Sequence, residues 1–170
     1  MSLLSEDELL KYRCVAVGGT FDYFHDGHRE LISKAYEIGE RVLLGLCSDE
    51  MQELLRKDSA GVRPLAVRMF EVLNFISKNG WLERTEIVTL NDPYGPAASR
   101  GSIDAIVVSP GTRKTAEEIN RIRSEKGMPP LEIVEIPYVL AQDRTPISSI
   151  KIRYGEMDEH GKLLKNSKVA

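Results

Sequence analysis

The sequence predicts an α/β domain: a doubly wound, parallel five-stranded sheet with helices on both faces. Five short runs rich in Val, Ile and Leu alternate with helical patterns along the chain, the signature of strand–helix–strand units. The first run, Cys14 to Val17, is apolar without alternation, as a strand buried on both faces is. Right-handed crossovers leave few topologies, and a doubly wound sheet binds ligands at the carboxyl ends of its strands, where strand order reverses.

Residues 1–11 read as an acidic tail or short helix, with Ser5 placed to cap Glu6-Asp7-Glu8. Strand one is Cys14 to Val17, followed by Gly18 and Gly19 and then a polar segment from Thr20 to Asp26. A helix follows Gly27-His28, with Leu31, Ile32, Ala35 and Ile38 recurring three and four apart, and Gly39 is expected to close it as a left-handed cap. Arg41 to Cys47 is strand two. Ser48 or Asp49 then caps a helix to about Arg56, and Lys57 to Arg63 is a polar loop. Pro64 starts a longer helix that buries Leu65, Met69, Val72, Leu73 and Ile76 and stops at Gly80. Strand three is Glu86 to Leu90, leading into the turn-rich NDPYGPAASRG, and strand four is Ile103 to Val108. Thr115 and Glu118 form a capping-box pattern for the next helix, which Gly127 ends. Leu131 to Ile136 is strand five, and residues 146–170 hold a last helix, Pro146 to Tyr154, and a tail.

Composition narrows the classes. A chain of 170 residues with 42% hydrophobic content suffices for one domain spanning 1–170. A net charge of −3 and a pI near 5.7 give no global field to attract nucleic acid or a lipid surface. Two cysteines in apolar runs read as reduced core thiols, the start is unlike a signal peptide, and no apolar stretch approaches bilayer length; the expected compartment is the cytoplasm. No internal repeat is present.

The chemistry concentrates in GGTFDYFHDGH, where a strand, a glycine turn and a helix start give open amides and a dipole that favour an anion. His25 and His28, three apart, project together where the helix begins and are placed to donate to phosphate oxygens. A metal pair lacks further ligands at a telling spacing, since only Cys14, Cys47 and His160 remain. A purely structural loop is the other alternative. Neither GxxxxGK[ST] nor GxGxxG after a strand is present.

GGTFDYFHDGH resembles the GTFDxxHxGH signature of the nucleotidyltransferase superfamily. With SDEM, RPLAVR, DPYGPA, INRIRSEKG and PISSIKIR in this order, nearly the whole chain, from about Tyr12 to Gly161, resembles the archaeal and eukaryotic phosphopantetheine adenylyltransferases. The resemblance implies a Rossmann-like nucleotidyltransferase fold and transfer of the adenylyl group of ATP to 4′-phosphopantetheine, with Mg²⁺ accompanying ATP. It implies catalytic roles for His25, His28, Thr20 and Lys57. ATP is expected at Gly18, Gly19, Thr20, Phe21, His25, Gly27, His28, Arg113, Ser148, Ser149, Lys151 and Arg153, with Lys114 beside Arg113. The acceptor phosphate is expected at Thr20, Lys57 and Arg63, with Arg56 nearby. Asp22 fixes the loop or caps the helix, and Arg68 reaches the site or solubilises its own helix. Ile150 stands where the family's ISSTxIR pattern has a hydroxyl, which removes one contact. The alternatives are another adenylyl- or cytidylyltransferase of the superfamily, and a module that senses ATP without turnover.

Overall fold

A computed structural model describes residues 10–55 and 61–165. Five strands form one sheet: β1 (Tyr12–Gly19), β2 (Gly39–Cys47), β3 (Thr85–Leu90), β4 (Ala105–Val108) and β5 (Glu132–Glu135). All neighbours are parallel and lie in the order β3-β2-β1-β4-β5, so the order reverses between β1 and β4. The helices are α1 (Asp26–Ile38), α2 (Asp49–Leu55), α3 (Leu65–Lys78), α4 (Arg113–Glu125) and α5 (Ser149–Arg153). No described helix is long and apolar enough to cross a membrane.

The strand period of two divides the core. Val15, Val17, Val42, Leu44, Leu46, Ala105 and Val107 pack with Ile32 and Ala35 of α1 and Val72 and Ile76 of α3. Ala16, Leu43, Ile106 and Val108 face the other way, against Ala116 and Ile119 of α4 and Ala97-Ala98 of the short turn after β3. Arg123, 1% exposed, stitches this second layer by donating to the carbonyls of Ala97, Arg100 and Pro129 at 2.8–2.9 Å.

Several expected boundaries differ, two of them for a clear physical reason. Gly39 is not a left-handed cap: it is extended (φ −119°), opens β2 and pairs with Tyr12. Its lack of a side chain serves packing, since a Cβ there would lie 2.6 Å from Val15 Cγ2. Helix α4 starts at Arg113 with Thr112 as its N-cap, because the Thr112 amide already closes a turn onto the Ser109 carbonyl at 3.1 Å. Thr115 therefore lies inside the first turn. Gly80 and Gly127, the expected ends of their helices, take the left-handed conformation, at φ +73° and +70°. The last helix begins at Ser149, capped by Ser148. The expected cap at Ser5, the loop residues Arg56 and Lys57, and the end of the tail lie outside the described residues.

Candidate active site

The loop from β1 to α1 stands at the reversal of strand order. His25 is the N-cap of α1, and its Nδ1 accepts the Gly27 amide at 3.0 Å. The Nδ1 of His28 accepts the His25 amide at 3.3 Å. The two rings stack with centroids 3.7 Å apart, and Phe24 and Phe21 pack against His28. A Cβ on Gly27 would meet the His25 ring at 2.8 Å, so the arrangement requires glycine there.

This geometry fixes the tautomer. A nitrogen that accepts from a backbone amide carries no proton, so each neutral ring holds its proton on Nε2. Burial lowers the pKa of His25 from 6.5 to about 4, helped by the charge on Arg29. Burial, then His25 and Arg29, hold His28 well below its ordinary value as well. At neutral pH the pair is two uncharged donors. Two amides of the α1 N-terminus are not open to an anion as the sequence suggested: Gly27 N–H is taken by His25, and Asp26 N–H donates to the Glu159 carbonyl at 3.0 Å. The Nε2–H groups are the donors left on two residues that border the cavities described below.

A consequence for stability follows. Below pH 6.5 the unfolded chain protonates residue 25 and the native state does not, so the native advantage is complete above 6.5 and is lost as pH falls toward 4. Urea denaturation is expected to show a loss of about 1–2 kcal/mol between roughly pH 7.5 and pH 5 from this group, reduced in His25→Asn. Equal pH dependence in both proteins would count against it.

The loop itself is strained. Phe21 and Tyr23 lie at φ +52° and +46°, left-handed positions that disfavour side chains. Residues from distant segments hold them there. Arg68, fully buried, donates to the Thr20 and Cys47 carbonyls at 2.9 Å, to the Arg63 carbonyl at 2.8 Å and to Asp49 at 3.0 Å. Arg68 thus does not solubilise its helix; it reaches the loop at Thr20 and anchors its backbone. The Asp22 carboxylate accepts from Arg63 Nε at 2.9 Å, from the Arg63 amide at 3.3 Å and from the Tyr23 amide at 3.0 Å. It fixes the loop, while His25 caps the helix. Ser149 Oγ donates to the Asp22 carbonyl at 2.6 Å.

Two cavities meet at this loop. The larger, about 420 Å³, has a polar end at Thr20, Ser109, Ser149 and Arg153 and an apolar floor that includes Leu43, Val88, Leu90, Tyr94 and Ile119. The smaller, about 200 Å³, lies between His25, Gly27 and the segment Pro137–Val139. His28, Leu31 and Ser109 border both.

Of the residues expected at the site, Gly18, Gly19, Thr20, Phe21, His28, Ser149 and Arg153 line the larger cavity, and His25, Gly27 and His28 the smaller. Ile150 borders the larger one, half-exposed. Ser148 accepts the Lys151 amide at 3.4 Å, and Lys151 Nζ donates to Thr145 at 3.0 Å. Arg113 borders neither cavity and pairs with Glu117 at 3.2 Å and Glu135 at 3.9 Å. The Arg63 guanidinium is engaged by Asp22 and, bidentately, by Glu71 at 2.7–3.0 Å, and stacks over Tyr23. Sequence reasoning placed the loop SPGTRK, which opens with Ser109 after β4, at the ligand edge of the sheet but gave Ser109 no role, and it passed over Gln52 of α2, whose Nε2 donates to Thr20 Oγ1 at 2.7 Å. Ser109 was signalled by its place after a strand; Gln52 carried no signal beyond the capped helix that holds it.

The curated relatives of this chain converge on one group. Residues 16–155 match the cytidylyltransferase-like family. The phosphopantetheine adenylyltransferase of Methanosarcina barkeri is 52% identical over 157 residues, 91% of this chain and 94% of that protein. The phosphopantetheine adenylyltransferase of Methanopyrus kandleri is 45% identical over 151 residues, 89% and 94% of the two chains. Among solved structures, a protein of unknown function from Archaeoglobus fulgidus superposes with a TM-score of 0.65 at 32% identity, covering 79% of this chain and 98% of that one. The pantoate-β-alanine ligase of Francisella tularensis shares the fold alone, with a TM-score of 0.57 at 14% identity over 85% of this chain and 66% of its own.

Proposed function

Because the chain belongs to the cytidylyltransferase-like family and, within it, to the phosphopantetheine adenylyltransferases, we propose that it transfers the adenylyl group of ATP to 4′-phosphopantetheine. The products are dephospho-coenzyme A and pyrophosphate, a step of coenzyme A biosynthesis. The observation that carries this reading is the stacked His25–His28 pair, two neutral Nε2–H donors at the junction of two cavities.

The chemistry asks for donors and alignment rather than a base. An acceptor phosphate oxygen, ionised at neutral pH, attacks the α-phosphorus of ATP. The new P–O bond forms as the bond to the bridging oxygen breaks, and pyrophosphate leaves with the electron pair. Catalysis then rests on positioning two anions and stabilising charge on the phosphoryl oxygens. Imidazoles whose Nδ1 is capped and whose Nε2 is protonated have no free lone pair; they donate. In this reading His25 and His28 hold ATP phosphates and Thr20 donates to the acceptor or α-phosphate. The close backbone at Gly18, Gly19 and Gly27 admits the nucleotide beside Phe21. Ser148, Ser149, Lys151 and Arg153 receive the β- and γ-phosphates, and Arg113, which borders neither cavity, would have to leave Glu117 and Glu135 to join them. The larger cavity suits the uncharged arm of the acceptor along its apolar floor, and the smaller suits the base. Lys57 bridges the two phosphates, and Arg63 serves the acceptor phosphate by holding Asp22 and the loop.

Mg²⁺ enters as the ion carried by the triphosphate. Among the described residues no group of three or more His, Cys, Asp or Glu side chains forms a cage for it, so no step is assigned to the metal. We assign the reaction to the cytoplasm, in keeping with the acidic, cysteine-poor composition.

Pyrophosphate release tests the reading, with Mg²⁺-ATP or CTP offered alongside 4′-phosphopantetheine, nicotinamide mononucleotide and glycerol 3-phosphate. Turnover is expected only with ATP and 4′-phosphopantetheine. Turnover with another pair reassigns the substrate within the family; ATP binding without turnover makes the protein a nucleotide sensor.

A further inference from the structure

We propose that Gln52 is a positioning residue that makes the Thr20 hydroxyl a donor to the reacting phosphates, an inference that rests on the function proposed above. Gln52 is 4% exposed, and the only hydrogen-bond partner of its side chain among the described residues is Thr20, reached by Nε2 at 2.7 Å. Its Oε1 is the one buried side-chain nitrogen or oxygen without a partner among the described residues. Turning the amide over would let Thr20 donate to Oε1 but leave a buried NH₂ with no acceptor among the described residues. An orphaned N–H is the rarer and costlier defect, so the observed orientation is the stable one.

The orientation has a chemical effect. Thr20 Oγ1 spends a lone pair on Gln52, so its hydroxyl proton is left for an acceptor in the cavity that Thr20 lines. Helix α2 holds Gln52 in place: Ser48 Oγ accepts the Met51 amide at 3.0 Å, and Asp49 accepts from the Leu65 amide at 2.9 Å and from Arg68 at 3.0 Å. A hydroxyl fixed as donor strengthens its bond as negative charge develops on the phosphoryl oxygens, which is where a donor accelerates transfer.

A double-mutant cycle on Gln52→Met and Thr20→Val tests this, reading kcat, KM for both substrates, ATP affinity and the thermal midpoint. Gln52→Met keeps the size and removes the donor. Its kcat is expected to fall about tenfold, with ATP affinity within about twofold. Thr20→Val should fall as far or further, and adding Gln52→Met to it should cost nothing more. Gln52→Glu, which makes the partner an acceptor and draws the Thr20 proton away, should fall at least as far as Gln52→Met. Wild-type kcat in Gln52→Met, multiplicative losses in the double mutant, or a loss that appears in KM alone overturns the inference while leaving the function standing. A wild-type protein silent with every acceptor overturns both.

Discussion

Replacing His28 with asparagine is expected to lower kcat/KM for pyrophosphate release by about a hundred- to a thousandfold, the usual cost of one donor to a developing oxyanion. Asparagine is chosen because its Oδ1 can still accept the His25 amide, which His28 Nδ1 does at 3.3 Å. The substitution therefore keeps the helix start and removes the Nε2–H. The thermal midpoint is expected to drop by only a few degrees, mainly through lost stacking against Phe24 and His25. Activity within tenfold of wild type would show that the imidazole donor does not touch the reacting phosphates.

Arg68→Met is expected to destabilise the fold by about 3–5 kcal/mol, among the larger effects a single substitution has. The methionine fills comparable space but removes the guanidinium that donates to the carbonyls of Thr20, Cys47 and Arg63 and to the Asp49 carboxylate. Urea denaturation reads the loss directly. The contrast is Arg121, an exposed arginine of α4 paired with Glu118 and Glu125; its replacement by methionine should change stability by less than about 1 kcal/mol. If the two substitutions cost the same, water has replaced Arg68 at the carbonyls and the loop does not depend on it.

The sheet and the histidine pair were legible because their signals are local. Apolar runs separated by helical periods identify strands, and GGTFDYFHDGH carries its own turn and helix start. What escaped depends on partners far along the chain. Gly39 has the composition of a helix cap, and only its packing against Val15 reveals a strand start. Thr115 has the spacing of a capping box, yet the turn from Ser109 to Thr112 starts the helix earlier. Arg68 looks like a surface cation on an amphipathic helix, and its burial follows from carbonyls supplied by three other segments. Gln52 lies on a short helix with no periodicity strong enough to say which side meets Thr20. Arg63 reads as a free cation until Asp22 and Glu71 are brought to it.

The strained loop also sets an order of events during synthesis. Its anchors lie 41, 48 and 127 residues downstream, in Arg63, Arg68 and Ser149. A nascent chain that has emerged through β2 can pair its first two strands and wind α1, yet nothing then holds Phe21 and Tyr23 in their unfavourable conformation. The full set of loop anchors is thus in place only once α5 docks.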